Sequence, residues 1–227
     1  RLAQDWLVLE LTNSGFYLGI VTALQFAPVW FFSLPGGALA DRFNKRKVLI
    51  VTNIAAGLTS LILGILVVTN NVQIWHVMAL AFALGVADAI DKPVRQSFTS
   101  EMVGVVDVPN AVSLNSANFN FGRLVGPALS GLMIAAFGTG PSFLINAFTY
   151  LLVIIVMANI REAELFREPR AVGPTTIREG FRYVMARPDL FVVMSVVFFV
   201  TTFGLNFQLF NALMATKVFD KGVTSFG

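Results

Sequence analysis

Ionisable side chains lie inside long apolar runs of this sequence, where a charge is unfavourable and therefore points to a function. Asp88, Asp91 and Arg95 follow an i, i+3, i+7 spacing, which places them on one face of a helix. Asp5 lies in the first apolar run, and Arg123 lies in the middle of another. A carboxylate in apolar surroundings binds a proton more readily than it does in water. These residues are therefore candidates for a proton or charge network.

The same side chains also have a structural interpretation, in which an Arg–Asp pair holds the fourth and fifth predicted helices together. We favour it for Asp91 and Arg95, because they lie near one end of an apolar run. Arg123 either offsets one of the acids or contacts an anionic substrate. The sequence offers no partner for Asp5, so proton binding, substrate contact and a structural hydrogen bond all stay open.

The composition predicts that a bilayer surrounds the elements that carry these residues. Of the 227 residues, 56% are hydrophobic and 13% are charged, and the mean hydropathy is +0.75. Soluble domains carry about twice that charged fraction, so a soluble enzyme is excluded. The chain has no cysteine, and its single histidine, His76, follows Trp75 as in an interfacial aromatic belt. We therefore expect no metal site.

Apolar runs near the ~20 residues that span a bilayer recur along the chain and predict an all-α polytopic membrane protein. The predicted helices cover residues 1–11 (a truncated first helix), 16–40, 48–69, 74–91, 111–137, 142–160 and 190–216, with the start of an eighth at 223–227. A weak similarity between residues 11–19 and 219–227 indicates two repeated halves. We therefore expect a fragment of a protein of about twelve helices.

Lysine and arginine are distributed unevenly between the predicted connections. Twelve of the 16 lie in the even-numbered connections, whereas Lys217 and Lys221 alone lie in an odd-numbered one. Even-numbered connections are therefore predicted to be cytoplasmic. Three units follow, namely a bundle over residues 1–160, a cytoplasmic linker over 161–189 and the start of a second bundle over 190–227. Thr175 or Thr176 could cap an amphipathic linker helix that lies on the membrane surface.

The second connection carries a sequence signature, since residues 37–47 read Gly-Ala-Leu-Ala-Asp-Arg-Phe-Asn-Lys-Arg-Lys. This resembles the major facilitator superfamily signature G-x-L-A-D-R-x-G-R-R. Asn44 stands where the family usually has glycine, and we expect it to take the positive φ of a tight reversal. The resemblance implies the major facilitator fold, with a six-helix N-terminal bundle followed by the start of a second bundle.

The resemblance also implies a cytoplasmic gate. Its implied residues are Gly37, Asp41, Arg42, Lys45 and Arg46. Asp41 is implied to latch the cytoplasmic side against the second half. Lys45 or Arg46 is implied to meet an acid low on the fourth helix, either Asp88 or Asp91.

A second signature lies in the fifth predicted helix, where residues 122–131 read Gly-Arg-Leu-Val-Gly-Pro-Ala-Leu-Ser-Gly. It resembles the antiporter signature G-x-x-x-G-P-x-x-G-G of the same superfamily, with Ser130 in place of one glycine. Gly122, Gly126 and Gly131 suit close helix packing, and Pro127 permits a bend. Residues 93–150 as a whole resemble the efflux branch that includes macrolide and enterobactin exporters.

In this family helices one, two, four, five and seven line a central cavity, so the resemblance implies a set of substrate-contacting residues. The implied residues are Gln4, Gln25, Phe26, Trp30, Asn115, Asn118, Phe119, Asn206, Gln208 and Asn211. Aromatic rings with scattered amides suit a bulky amphiphilic ligand. Lipid contact or helix packing is the alternative for each aromatic residue.

The function that these resemblances imply is proton-coupled, multidrug-type export of small amphiphilic molecules by alternating access. Alternatives with the same fold are an uptake symporter, a dedicated siderophore exporter and a lysophospholipid flippase, and a receptor or membrane enzyme is the alternative from another class. The sequence has no Walker loop, His-rich cluster or Gly-x-Ser-x-Gly motif, so we expect no enzyme. We expect no cofactor beyond the proton gradient and no nucleic-acid partner. A monomer among the lipids of a bacterial cytoplasmic (inner) membrane is expected to bind a small-molecule substrate.

Overall fold

The computed structural model describes the backbone of residues 1–166, 182, 183 and 185–204, with their side chains except those of 33–42, 105, 203 and 204. This part of the chain is almost entirely helical. Its elements in order are α1 (Leu2–Thr12), α2 (Gly15–Arg42), α3 (Lys45–Val68), α4 (Ile74–Phe137), α5 (Thr139–Asn159), a 3-10 turn (Glu162–Glu164), α6 (Pro188–Phe199) and a π-helical turn (Val200–Gly204).

Four helical segments of the described chain are long and apolar enough to cross a bilayer. They are Gly15–Phe32, Lys45–Val68, Ile74–Gly104 and Thr139–Asn159. Most of their large apolar side chains are exposed in this chain, as lipid-facing positions require. These spans confirm the all-α membrane protein that composition predicted.

The fourth and fifth predicted helices follow each other with no loop between them, since the helical backbone of α4 (Ile74–Phe137) is interrupted at Gly104 (φ 74°, ψ 166°). We name its two parts the first limb (residues 74–103) and the second limb (residues 105–137). The predicted end of the fourth helix at residue 91 is therefore wrong. Hydropathy marks the part of a helix that lies in the bilayer, whereas the helix and its backbone hydrogen bonds can continue into water. A 30-residue limb is about 45 Å long, beyond the ~30 Å of the hydrocarbon core.

The predicted positive φ at Asn44 is also wrong. Asn44 has φ −66° and ψ 110°, and its side chain accepts a hydrogen bond from the Lys47 N–H. It therefore caps the N-terminus of α3, which is the commonest role of asparagine at such a position. A left-handed residue does occur at the other end of the molecule, where Asn13 ends α1 with φ 48°.

α3 packs antiparallel to the first limb of α4 and to α5, whereas α2 runs parallel to that limb, with Gln25 level with Gly85. The α2–α4 crossing is close, because a Cβ on Gly85 would overlap the backbone oxygen of Gln25. Two buried apolar clusters hold the bundle. The outer cluster consists of Leu7, Val8, Leu9, Leu18, Val21, Leu63, Val77, Ala81 and Phe143. The cytoplasmic cluster consists of Leu49, Val94 and Phe98, with Leu165 packed against it.

Several predictions fall on residues outside the described part. They are the amphipathic linker helix around Thr175 and Thr176, the later part of the seventh helix and the start of the eighth. The seventh helix begins as α6 at Pro188, close to the predicted residue 190. The division into units at residues 1–160, 161–189 and 190–227 stays a prediction.

Candidate functional site: a charged pair across the bundle and a cytoplasmic gate

A charged pair joins α1 to the first limb of α4, where the Arg1 guanidinium contacts the Asp88 carboxylate. Both side chains are only partly exposed, at 33% and 26%. The guanidinium also lies over the Phe26 ring of α2, 5.0 Å from its centroid. Arg1 therefore connects three helices through an ion pair and a cation–π contact.

Asp5 lies one helical turn after Arg1, so both side chains leave the same face of α1. Within the described residues its carboxylate has no hydrogen-bond or ion-pair partner. The Arg1 guanidinium contacts Asp88, and Asp5 lies one turn further along the same face of α1.

Asp91, one turn further along α4, has a full set of donors. Arg95 donates to it through two nitrogens at 2.8 and 3.0 Å. Thr52 and Asn53 of α3 donate to it at 2.8 and 3.1 Å. This carboxylate has a structural role, as expected, but it joins α3 to α4 rather than the fourth predicted helix to the fifth, because Arg95 lies on the same limb as Asp91.

The cations of the gate signature lie at the end of the bundle that is predicted to be cytoplasmic. Lys45 contacts Glu101 at 2.7 Å, and the two side chains are only 16% and 18% exposed. The resemblance predicted Asp88 or Asp91 as the acid, and this is wrong. α4 extends beyond residue 91, so Glu101 lies level with the first residue of α3. Sequence analysis missed Glu101, although the antiparallel order of α3 and α4 requires a partner near the far end of α4.

Arg46 binds the C-terminus of α5. It donates to the Met157 carbonyl at 2.7 Å and to the Ala158 carbonyl, and it pairs with Glu162 at 3.2 Å. The Met157 carbonyl also accepts from the N–H of the C-cap residue Ile160, and a cation at a helix C-terminus is favourable. Gly37, Asp41 and Arg42 lie in the last turns of α2, and their side chains are outside the described part.

The glycines of the second signature lie on the second limb, where two of them contact no other helix of the described chain. A Cβ on Gly122 or Gly126 would have no neighbour within 4 Å, so the predicted close packing finds no partner among the described residues. α4 keeps helical backbone angles at Pro127 and departs from them at Gly104. Gly131 follows on the same limb. Arg123 lies 5.8 Å from the Phe119 ring centroid and meets no carboxylate of the described chain, so it does not offset the acids.

The predicted cavity residues of the described part differ in exposure. Gln4 and Gln25 are each 3% exposed, and Gln25 donates to the Gln4 oxygen at 3.0 Å while Gln4 donates to the Val77 carbonyl. This amide pair joins α1, α2 and α4, so Gln25 is unavailable to a ligand. The remaining described members are exposed, namely Phe26, Trp30, Asn115, Asn118 and Phe119. Asn206, Gln208 and Asn211 lie outside the described residues.

A cavity of about 220 Å³ lies elsewhere, between α1, α3, α4 and α5. Gln4 and Arg1 line it, together with Ser60 and Asn146, whose side chains are hydrogen-bonded at 2.7 Å. The resemblance placed the helices that correspond to α3 and α5 outside the cavity, so these polar residues were not considered. Their small polar side chains within apolar helices were the available signal. The described residues contain no cluster of three His, Cys, Asp or Glu side chains that could hold a metal ion.

Long apolar spans and a cationic loop that carries the gate signature define a polytopic membrane protein, and the signature resembles that of the major facilitator superfamily. A family model described as "Transmembrane secretion effector" matches residues 1–227, and the chain belongs to this family. The family consists of transporters and not of enzymes, as the sequence predicted.

Curated relatives of the chain have transport names. It is 27% identical to the staphyloferrin A transporter of Staphylococcus aureus, over 69% of this chain and 40% of that protein. It is 26% identical to the multidrug efflux pump Tap of Mycolicibacterium fortuitum, over 83% and 48%. It is 21% identical to macrolide efflux protein A of Streptococcus pyogenes, over 86% and 49%. The chain thus spans about half the length of the curated relatives that it matches.

Proposed function

We propose that the complete protein is a secondary active transporter that exports small amphiphilic molecules by proton-coupled alternating access. The observation that carries this proposal is the set of relatives named for efflux of macrolides and of multiple drugs, at 21% and 26% identity. The chain then supplies the first of two bundles that enclose the substrate. Its energy source is the proton gradient, with no bound cofactor.

The charged pair supports proton coupling. Arg1 binds Asp88, and Asp5 leaves the same face of α1 one turn further on. An arginine that exchanged between these acids would couple proton binding to the relative position of α1 and α4. Asp5 is the proposed proton carrier, because it lies in an apolar helix and no hydrogen bond or ion pair holds its carboxylate within the described chain.

The exposed face of α2 supports a bulky, amphiphilic substrate. Phe26 and Trp30 are 44% and 72% exposed and lie four residues apart, so both rings share one side of the helix. Asn115, Asn118 and Phe119 add amides and a ring on the second limb. Broad aromatic contact with few directional bonds tolerates substrates of different shape.

A dedicated siderophore exporter is the second candidate function. The relative at 27% identity is named a staphyloferrin A transporter, and another at 20% identity is named an enterobactin exporter. Arg123 lies free of carboxylates within the described chain, so it is available to an anionic group of such a substrate. Under either proposal the protein works as a monomer in the bacterial cytoplasmic membrane, contacts lipid and a small-molecule substrate, and binds no nucleic acid.

The test uses the complete protein in liposomes that contain a pH-sensitive dye. When a pH gradient is imposed, we expect the addition of a cationic lipophilic drug to cause proton flux across the membrane, which the dye reports. Asp5→Asn should abolish this substrate-dependent flux. Glu10→Gln is the matched control, because Glu10 is an exposed acid on the same helix that accepts a hydrogen bond from Trp6 at 2.7 Å.

The outcomes separate the candidates. Flux that survives in Asp5→Asn would move the proton to Asp88 or to the second bundle. Flux that responds to a carboxylate siderophore and to none of the drugs would favour the dedicated exporter. An absence of coupled flux with every compound would refute proton-coupled export.

A further inference from the structure

The chain turns back onto the bundle immediately after α5. We name residues 162–166 the strap; they begin with the 3-10 turn Glu162–Glu164. The Glu162 carboxylate accepts hydrogen bonds from the Asn44 amide at 3.1 Å and from the Arg46 guanidinium at 3.2 Å. Both partners belong to the gate signature, so the start of the strap is fixed to the loop between α2 and α3.

The end of the strap is fixed to the bend in α4. The Phe166 N–H donates to the Glu101 carbonyl at 2.7 Å. A break in a helix deprives carbonyl groups of the preceding turn of their intrahelical donors, and Phe166 supplies one. The Phe166 ring covers Gly104, with ring atoms 3.3 and 3.4 Å from where a Cβ would stand. Leu165 packs between these contacts on the cytoplasmic cluster.

Glu101 connects the two ends of this arrangement. Its carboxylate binds Lys45 of α3, while its carbonyl accepts the hydrogen bond from the strap. Glu101 therefore connects the gate loop, through its carboxylate, to the strap, through its carbonyl, close to the α4 bend. None of these contacts belongs to the proton pair or to the proposed substrate surface.

We propose that the strap is a positioning element of the cytoplasmic gate, in which Glu162 and Phe166 hold the angle between the two limbs of α4. The proposal rests on the proposed function for the meaning of the gate, although its geometry does not. The second limb has 33 residues and is about 50 Å long, so a ~10° change at Gly104 moves its far end by about 9 Å. The Gly122–Gly131 signature lies on this limb and would move with it.

The first test measures the bend directly in the complete protein, made free of other cysteines. Spin labels are placed at Phe43→Cys and Val106→Cys, two exposed positions on either side of the strap. We expect Phe166→Ala to broaden the distance distribution about twofold and Phe166→Leu to restore it. Phe148→Ala is the matched control, since Phe148 is an exposed ring on α5 and should leave the width unchanged. An unchanged width in Phe166→Ala would overturn the proposal.

The second test measures the contact itself. Residues 101 and 166 have hydrogen-bonded backbones, so Glu101→Cys with Phe166→Cys should form a disulfide under mild oxidation, and neither single variant should cross-link. A lack of cross-linking would also overturn the proposal. Both measurements are independent of transport, so a protein that cross-links but shows no proton flux refutes the proposed function and leaves the strap intact.

A transport readout separates positioning from mere stability. Phe166→Ala should lower the maximal export rate several-fold and leave the half-saturating substrate concentration unchanged, because the substrate surface is untouched. An altered half-saturating concentration with an unchanged maximal rate would contradict the assignment.

Discussion

Replacement of Gly104 by alanine tests the bend in α4, which separates its first limb from its second. Gly104 has φ 74° and ψ 166°, a region that is essentially restricted to glycine. A side chain held there costs about 1–3 kcal/mol. A Cβ would also stand 3.3 Å from the Phe166 ring, which would have to move by a few tenths of an ångström.

We therefore expect Gly104→Ala to lower the free energy of unfolding by about 2 kcal/mol, which reduces the folded-to-unfolded ratio by about thirtyfold. Gly19→Ala is the matched control. Gly19 lies in the interior of α2, and a Cβ there would meet nothing within 4 Å. The same chemical change should stabilise the protein by about 0.5–1 kcal/mol, because alanine is the better helix former.

The assay is reversible unfolding of the complete protein in mixed micelles, titrated with SDS and followed by far-UV circular dichroism. The two variants should move the midpoint in opposite directions from the parent. If Gly104→Ala were as stable as the parent, residue 104 would not have a positive φ, and the first limb would not end there. Equal losses in both variants would show that alanine is harmful for a reason unrelated to the bend.

Three further predictions concern contacts that the structure defines. Lys45→Ala and Glu101→Ala should each cost about 1–3 kcal/mol, because both side chains are largely buried, and the double variant should cost less than the sum of the two in the same unfolding assay. Asn44→Ala should cost about 1 kcal/mol through loss of the α3 cap, whereas Asn44→Gly should cost only a few tenths; a gain from glycine would restore the positive-φ hypothesis. Gln25→Leu should cost about 1–3 kcal/mol by leaving the buried Gln4 amide without its partner, and Gln4→Leu with Gln25→Leu should recover part of that loss, whereas equal losses would show that the amides are not paired.

Most helices could be predicted from the sequence, but the C-terminal end of the fourth predicted helix could not. Apolar length identifies the part of a helix that contacts lipid, and this located α2, α3 and α5 within a few residues. The first limb of α4 continues to residue 103 because backbone hydrogen bonding does not stop where lipid contact stops. Gly104 is one of several glycines in apolar or helical context, and nothing local distinguishes it from Gly85, which is helical.

The gate residues were predictable and their partners were not. A sequence signature identifies Lys45 and Arg46 by spacing alone. Their acids, Glu101 and Glu162, are set by the antiparallel alignment of α3 with α4 and of α3 with α5. That alignment depends on helix lengths, so the misplaced end of the fourth helix led directly to the wrong acid. Likewise, Gln25 matched the polarity expected of a cavity residue, yet the pairing that buries it is a property of two helices and not of one.

The structure gives Asp88 and Asp91 different partners, a difference that their spacing in the sequence could not predict. Asp88 and Asp91 lie on one helical face, but three residues rotate the second by about 60° and raise it by about 4.5 Å. This displacement directs Asp91 to α3, where Thr52, Asn53 and Arg95 saturate it, and directs Asp88 to α1. Asp91 therefore forms part of the contact between α3 and α4, and its four hydrogen bonds fix it there. Asp88 has a single arginine partner, so its contact depends on the position of α1 relative to α4. Under the proposed function, a change of contact between α1 and α4 is therefore expected at Asp88, and not at the acid with the most partners.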